Sequence, residues 1–305
     1  MRPIVLILGP TAGGKTSLAI ELANKLQGGG ECICADSMQV YRGMDIGTAK
    51  PTADERSEAV HHLIDIADPA EDGFTVDKWL GLSNQIIDNI RERGKWPIVV
   101  GGTNLYVQSL LFGLFDGPDR NAEKRDELNA ESNEVLFERL NKLDPEATER
   151  IHINDKRRLV RAIEVCEATG HPLSSLQAQW GKPLPREDAV IIGLNWPVKT
   201  INHRINSRVK SMFDGGLLNE VELLQDKLGK QASEALGYKQ LLSYFRGECT
   251  LDEAKERIKI LTRRYAKQQR TWLRRFQILP SAHFIDMEGK GAEVAARQAL
   301  TLLQG

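Results

Sequence analysis

The sequence predicts an α/β fold in which helices flank a parallel β-sheet, with a mostly helical domain inserted into the chain. Over the first 115 residues, short apolar runs alternate with segments of helical periodicity, which is the pattern of β-α-β units. No strand-like run follows between about residue 119 and residue 188. We therefore expect a core of residues 1–115 and 189–305, with a helical insertion at residues 116–188.

The predicted strands are short apolar runs rich in branched residues, as buried parallel strands are. In chain order they are Ile4–Leu8, Cys32–Ala35, Pro97–Val100 and Ala189–Leu194. The predicted helices have apolar residues at helical spacing, and two of them are followed by glycine. They are Ser17–Leu26, Lys78–Arg93, with an apolar stripe of Trp79, Leu82, Ile86 and Ile90, and Leu105–Leu111. After Leu194 the chain is expected to be largely helical, and Gly181–Glu187 to be an exposed return to the core.

Length and composition indicate a globular protein that needs no disulfide. The 305 residues are 41% hydrophobic and 27% charged, with a net charge of −1, so nucleic-acid binding would require a local basic patch. The four cysteines include no CxxC pair, and no early apolar run is long enough to span a membrane. We expect no disulfide framework, no membrane anchor and a reducing, cytoplasmic location.

A glycine-rich loop follows the first predicted strand and precedes the first predicted helix. Its sequence GPTAGGKT, at residues 9–16, matches the P-loop pattern G-x-x-x-x-G-K-[ST]. Its amides and the helix N-terminus suit a phosphate, Lys15 supplies a positive charge, and the Thr16 hydroxyl suits Mg²⁺. The predicted diphosphate-binding residues are Gly9, Thr11, Ala12, Gly13, Gly14, Lys15 and Thr16. The loop makes the core a P-loop-type sheet, and it indicates a polyphosphate ligand without specifying a nucleotide.

The third predicted strand ends without the acidic residue that holds Mg²⁺ in many P-loop ATPases. It ends in Gly101-Gly102-Thr103 instead. This disfavours motor and switch ATPases. Two classes of enzyme remain as candidates, the small-molecule kinases and the enzymes that use a diphosphate as leaving group.

Asp36 and Thr103 follow two predicted strands whose carboxyl ends should meet beside the phosphate loop. Ligands of open parallel sheets bind at that edge, so Asp36 is a candidate general base and Thr103 a candidate hydrogen-bond partner. Each has a structural alternative: Asp36 as a turn or cap residue, and Thr103 as the N-cap of the helix at Leu105.

Residues 255–275 form the main basic segment, with nine basic residues against one acid, Glu256. Four of the basic residues recur at helical spacing and would share one face: Arg263, Lys267, Arg270 and Arg274. With the interleaved aromatic residues, this face is typical of RNA binding. The alternative is a solvated helix face. A smaller cluster comprises Lys156, Arg157, Arg158 and Arg161, for which the two interpretations are about equal.

Several segments resemble the tRNA dimethylallyltransferases. They are residues 36–51 (DSMQVYRGMDIGTAKP), 61–65 (HHLID), 101–106 (GGTNLY), 154–162 (NDKRRLVRA), 235–239 (ALGYK) and 265–272 (YAKQQRTW). The resemblance extends from about residue 3 to residue 276. Residues 36–51 are far more specific than the phosphate loop.

The resemblance implies transfer of a dimethylallyl group from dimethylallyl diphosphate to the exocyclic N6 of the adenosine 3′-adjacent to the tRNA anticodon. Diphosphate would leave, Asp36 would accept the proton, and Thr103 would orient the amine or a leaving-group oxygen. The implied partners are the tRNA anticodon stem-loop, dimethylallyl diphosphate and Mg²⁺, and we expect a monomer. The expected tRNA contacts are Asp36, Ser37, Met38, Gln39, Thr103, Arg125, Arg157, Arg158, Arg161, Gly237, Tyr238, Lys239, Arg263, Lys267 and Arg270. For Arg125, the alternative is a surface ion pair with an acid on its own helix.

Two other functions remain open at this point. A P-loop small-molecule kinase, or a prenyltransferase acting on free adenine nucleotides, would bind ATP or AMP and leave the basic segment without a task. A non-catalytic RNA-binding protein would leave the phosphate loop unexplained.

Overall fold

The computed structural model describes residues 1–114, 117–118, 121–176 and 185–304. The chain divides into two compact units, Met1–Leu111 with Glu187–Gly305, and Phe112–Arg186. The predicted domain boundary at residues 115–116 lies outside the described residues, as does most of the predicted return segment Gly181–Glu187.

The first unit contains one sheet of six strands among the described residues, all paired in parallel. The strands are β1 (Ile4–Leu8), β2 (Gly30–Ala35), β3 (His61–His62), β4 (Trp96–Gly101), β5 (Ala189–Asn195) and β6 (Ala282–Asp286). Their order across the sheet is β3-β2-β4-β1-β5-β6. The predicted parallel α/β core is confirmed, and all four predicted strands are present.

Strands β3 and β6 were not expected from the sequence. The chain after Leu194 is largely helical, as expected, apart from the strand Ala282–Asp286. This strand reads AHFID and lies at the edge of the sheet, where β5 is its one partner among the described strands. It therefore does not need the continuous apolar run that marks a central strand. Strand β3 is two residues long, too short for any periodic signal.

Ten helices belong to the first unit within the described part of the chain. They are α1 (Lys15–Lys25), α2 (Ala53–Glu58), α3 (Val76–Glu92), α4 (Asn104–Phe112, whose last residue falls in the second unit), α10 (Val198–Asp214), α11 (Leu217–Leu224), α12 (Lys230–Ser233), α13 (Tyr238–Phe245), α14 (Leu251–Phe276) and α15 (Ala292–Gln304). None of the described helices is both long and apolar enough to cross a membrane.

Helix α3 is present, but its buried face differs from the predicted stripe. The buried residues are Trp79, Ser83, Ile87 and Ile90, whereas Leu82 is 38% exposed and Ile86 is half-buried. The Trp79 indole donates to the Cys34 carbonyl oxygen at 2.8 Å and stacks on Tyr106. These contacts set the rotation of the helix about its axis, which apolar periodicity alone did not determine.

The second unit consists of short helices among its described residues. They are α5 (Ala122–Ala130), α6 (Asn133–Leu143), α7 (Pro145–Arg150), α8 (Lys156–Thr169) and α9 (Leu173–Leu176). Its core includes Leu136, Leu140, Leu159 and Ile163, all fully buried. The unit therefore has its own hydrophobic core.

Candidate active site

The phosphate loop lies between β1 and α1, where its left-handed residues turn the backbone. Ala12 has φ 60° and Gly14 has φ 85°, a conformation that glycine adopts without strain. A Cβ on Gly13 would lie 2.7 Å from the Pro10 carbonyl oxygen, so the tight turn requires glycine there. The Lys15 ammonium donates to the carbonyl oxygens of Gly9 (3.1 Å) and Pro10 (3.0 Å).

Two residues to which no local sequence pattern points donate hydrogen bonds to carbonyl oxygens of the loop. The Trp196 indole donates to the Gly13 carbonyl oxygen at 3.0 Å, and Arg204 Nε donates to that of Ala12 at 2.8 Å. The Arg204 guanidinium also lies over the Trp196 ring, 4.6 Å from its centroid. These contacts fix the carbonyl groups of Ala12 and Gly13.

A cavity of about 590 Å³ opens beside this loop. Its lining includes residues 11–17 together with Asp36, Gln39, Arg204 and Arg208. Burial, together with the nearby positive charge of Arg208, lowers the pKa of Lys15 to about 8, although Asp36 acts in the opposite direction. The lining thus combines four lysine and arginine side chains with two carboxylates, a positive balance that suits a polyanion; they are Lys15, Lys50, Arg204, Arg208, Asp36 and Glu55.

Asp36 and Thr103 lie at adjacent strand ends, where the sequence placed them. Asp36 Oδ1 accepts a hydrogen bond from the Met38 amide at 2.9 Å, so Asp36 also acts as a turn residue. Thr103 Oγ1 accepts one from the Ser37 amide at 2.9 Å. Asp36 lines the cavity, and Thr103 holds the backbone that follows Asp36.

Residues 37–50, which follow Asp36, are held in place by two of their own polar side chains, Gln39 and Lys50. Gln39 donates to the carbonyl oxygens of Thr48 (3.0 Å) and Ala49 (3.1 Å). The buried Lys50 ammonium donates to the Tyr41 carbonyl oxygen at 2.6 Å and pairs with Asp45 and Asp65. The hydrogen-bond capacity of Gln39 is therefore largely used within the protein.

Glu220 of α11 braces the same segment from outside it. Its carboxylate accepts hydrogen bonds from the amides of Asp45 (2.9 Å), Ile46 (2.7 Å) and Gly47 (3.0 Å), and another from the Tyr238 hydroxyl. No local sequence pattern points to Glu220, because it lies 175 residues from Asp45 in the chain.

The residues at the start of α13 differ in exposure. Tyr238 is fully buried, which leaves none of its side chain accessible for a tRNA contact in this structure. Gly237 is buried as well, whereas Lys239 is exposed and pairs with Glu234 at 2.6 Å.

Helix α14 carries the basic segment predicted from the sequence. Lys267 is exposed, while Arg263 and Arg270 are half-buried, and Arg263 donates to Asn206 Oδ1 at 2.7 Å. Another face of the helix reaches the end of β4, where the Tyr265 hydroxyl donates to the Gly102 carbonyl oxygen at 3.1 Å. The helix thus connects a cationic surface to the strand end beside Thr103.

In the second unit, Arg125 and Arg161 converge on the buried carboxylate of Glu164. Arg125 Nη2 donates to it at 3.0 Å and Arg161 Nη1 at 2.9 Å. The partner of Arg125 is therefore an acid on α8 rather than one on its own helix. Arg157 and Arg158 are exposed at the start of α8.

Comparison with known proteins identifies the family of this chain. The chain matches the family model for IPP transferase over residues 39–276 and that for isopentenyl transferase over residues 2–73. It is 48% identical to the tRNA dimethylallyltransferase of Shouchella clausii, over 90% of this chain and 88% of the relative. It is 45% identical to the tRNA dimethylallyltransferase of Acetivibrio thermocellus, over 91% of this chain and 90% of the relative.

Solved structures give the same result. The full-length tRNA isopentenylpyrophosphate transferase of Bacillus halodurans matches with a TM-score of 0.72 and 38% identity, covering 100% of this chain and 97% of the other. A eukaryotic dimethylallyltransferase acting on tRNA matches with a TM-score of 0.83 and 27% identity, covering 100% of this chain and 80% of the other. The resemblance noted in the sequence is confirmed, and the chain belongs to the IPP transferase family, which includes the tRNA dimethylallyltransferases.

Proposed function

We propose that this chain transfers a dimethylallyl group from dimethylallyl diphosphate to N6 of the adenosine 3′-adjacent to the anticodon of tRNA, releasing diphosphate. The observation that carries the proposal is the shared cavity, in which the phosphate loop and the Asp36 carboxylate line one space of about 590 Å³. This transfer requires a site that binds the diphosphate leaving group and a group that accepts the proton, and the cavity contains both.

The phosphate loop is the proposed diphosphate site. As the bond between the allylic carbon and oxygen breaks, its electron pair leaves with the diphosphate, and Lys15 and the loop amides stabilise the growing charge. Arg204 and Arg208 line the same cavity and add two positive charges. The allylic carbon tolerates positive charge, so the weakly nucleophilic amine of adenine suffices to form the new bond.

Magnesium fits the proposed site through Thr16. Thr16 lines the cavity, and Mg²⁺ is typically held by one or two protein oxygens, here the Thr16 hydroxyl, together with substrate phosphates. The described residues contain no group of three or more His, Cys, Asp or Glu side chains able to hold a metal, so substrate oxygens would complete the coordination. When bound, the ion neutralises diphosphate charge.

Asp36 is the proposed general base. While the adenine nitrogen bonds to the allylic carbon, its proton moves to the Asp36 carboxylate. Thr103 positions the Ser37 amide immediately after that carboxylate. Ser37, Met38 and Gln39 are half-buried in the same segment, and we propose that they border the target nucleotide.

The tRNA backbone is the proposed ligand of the basic surfaces. Arg263, Lys267 and Arg270 present positive charge on α14, and Lys239 is exposed on α13. Additional phosphate contacts are proposed for the arginines of the helical unit, Arg125, Arg157, Arg158 and Arg161. We propose that the chain acts as a cytoplasmic monomer on the anticodon stem-loop, with the helical unit as a separate domain.

The proposal is tested by supplying labelled dimethylallyl diphosphate, Mg²⁺ and unmodified tRNA, with ATP and AMP as competing acceptors. We expect label in tRNA only. Asp36→Asn should lower turnover by about 10²–10⁴-fold, because it retains the Oδ1 acceptor for the Met38 amide but lacks a proton acceptor.

The matched control is Asp226→Asn, an exposed aspartate remote from the cavity lining, which should leave turnover unchanged. Label in free nucleotide alone would support the alternative acceptor instead. Full turnover by Asp36→Asn would exclude Asp36 as the base.

A further inference from the structure

Gln269 is a buried amide on the helix that carries the basic surface. Its side chain is one helical turn from Tyr265, and the residue is only 5% exposed. Gln269 Oε1 accepts a hydrogen bond from the Thr11 amide at 2.7 Å, and Nε2 donates to the Gly102 carbonyl oxygen at 3.1 Å. One side chain therefore spans the phosphate loop and the end of β4.

The site requires both a donor and an acceptor, which a carboxamide provides at the same end of one side chain. A carboxylate would accept from the Thr11 amide but would repel the Gly102 carbonyl oxygen. Gly102 is the matching residue, since a Cβ there would lie 2.1 Å from Gln269 Nε2. The glycine leaves the space that the amide occupies.

The two groups that Gln269 connects serve different parts of the proposed reaction, the departure of the diphosphate and the attack by the adenine amine. Thr11 lies in the loop that would hold the leaving group. Gly102 directly precedes Thr103, whose hydroxyl holds the Ser37 amide next to Asp36. Displacement needs the leaving oxygen and the incoming nitrogen on opposite sides of one carbon, so the distance between these halves controls the rate.

We propose that Gln269 is a positioning residue that sets the spacing between the phosphate loop and the strand ends bearing Thr103 and Asp36. This inference rests on the proposed function. Gln269 acts through Thr11 and Gly102, and its removal affects the chemical step more than the binding of the donor, because Lys15 and the other loop amides remain.

The first variant is Gln269→Met, which keeps the length of the side chain and removes both hydrogen bonds. We expect kcat to fall by about 10- to 100-fold, as for a misplacement of about 1 Å. The KM for dimethylallyl diphosphate should change by less than about threefold. Gln277→Met, an exposed glutamine just beyond the same helix, is the matched control and should behave as the unaltered protein.

The second variant, Gln269→Glu, tests hydrogen bonding separately from packing. The introduced carboxyl can accept from the Thr11 amide in either state, but it can donate to the Gly102 carbonyl oxygen only when it is protonated. Its kcat, expressed relative to the unaltered protein at the same pH, should therefore rise as the pH falls. The same ratio for Gln269→Met should stay flat, because a thioether does not titrate.

Wild-type kcat for Gln269→Met, or the same flat pH profile for both variants, overturns the positioning role. Thermal unfolding of each variant shows whether a loss of kcat comes from loss of the folded state. The rise in relative kcat of Gln269→Glu at low pH is a separate test, because a merely unfolded variant would not recover in acid. If the unaltered protein transfers no label to tRNA, the proposed function itself fails, and this inference fails with it.

Discussion

The hydroxyl oxygen of Thr103 lies 2.9 Å from the backbone nitrogen of Ser37 and accepts its hydrogen bond. Thr103 follows β4 and Ser37 follows β2, and these strands are neighbours in the sheet. The Thr103 carbonyl oxygen also accepts from the amides of Tyr106 and Val107, at the start of α4. Helix initiation therefore uses the backbone of Thr103, which leaves its side chain to hold the chain next to Asp36.

Replacing Thr103 should separate the roles of its hydroxyl and its methyl group. Thr103→Ala leaves the Ser37 amide without this acceptor, at a cost of about 1–3 kcal/mol, so kcat/KM should fall by about 5- to 150-fold. Thr103→Ser keeps the hydroxyl and should retain most of the activity. Steady-state kinetics with tRNA check this, and an equal loss in both variants would assign the effect to the methyl group.

Diphosphate binding should weaken as the pH rises through about 8, the value to which burial lowers the pKa of Lys15. Above that pH, Lys15 loses its proton in the protein without bound diphosphate. The affinity for diphosphate should then decline by up to about tenfold per pH unit. Calorimetric titration with inorganic diphosphate from pH 6.5 to 9.5 measures the effect.

The control for this pH dependence is Lys15→Ala, which removes the titrating ammonium. The ratio of its affinity to that of the unaltered protein should approach one at high pH, because both then lack the charge. A constant ratio over the range would show that another group is responsible.

Charge reversal on α14 should weaken tRNA binding without affecting the diphosphate site. Lys267→Glu removes one phosphate contact, so the slope of log affinity against log salt concentration should fall by about one. Lys227→Glu, which reverses an exposed lysine outside the basic helix, is the matched control. Filter binding of tRNA over a series of salt concentrations measures the slope for each variant. If the slope for Lys267→Glu equals that of the control, the tRNA does not bind at this face of α14.

Glu31 should contribute stability that is lost in acid. Burial by itself raises the pKa of this carboxyl, but hydrogen bonds from His62, Lys95 and Arg93 outweigh it and lower the pKa to about 2. Because the folded pKa is below the ordinary value of 4.5, the stabilisation is complete above about pH 4.5 and disappears as the pH falls towards 2.

The matching variant is Glu31→Gln, which retains the shape and removes the charge. We expect it to lower the free energy of unfolding by about 1–3 kcal/mol at pH 7, since its cationic partners are partly solvated. The deficit should vanish near pH 2. Urea unfolding at several pH values checks this, and a deficit that does not change with pH would contradict the electrostatic explanation.

Much of the core could be predicted because its signals are local. The four central strands are continuous apolar runs, and the phosphate loop is a contiguous motif between a strand and a helix. The edge strand at Ala282–Asp286 lacks such a run because it pairs with one neighbour among the described strands. In α3, Ser83 is buried where Leu82 was expected. Helical spacing is compatible with more than one buried face, and the tertiary contacts of Trp79 determine which face packs against the sheet.

Local sequence patterns are sufficient to predict the parallel sheet, the phosphate loop, the strand-end positions of Asp36 and Thr103, and the basic helix, because each depends on residues close together in the chain. The contacts that hold these parts together form between distant residues and are visible only in the folded chain. Arg204 reaches Ala12 across 192 residues, and Gln269 reaches Thr11 across 258. No periodicity or motif encodes such pairings, because they depend on which helix faces the folded chain brings against the strand ends.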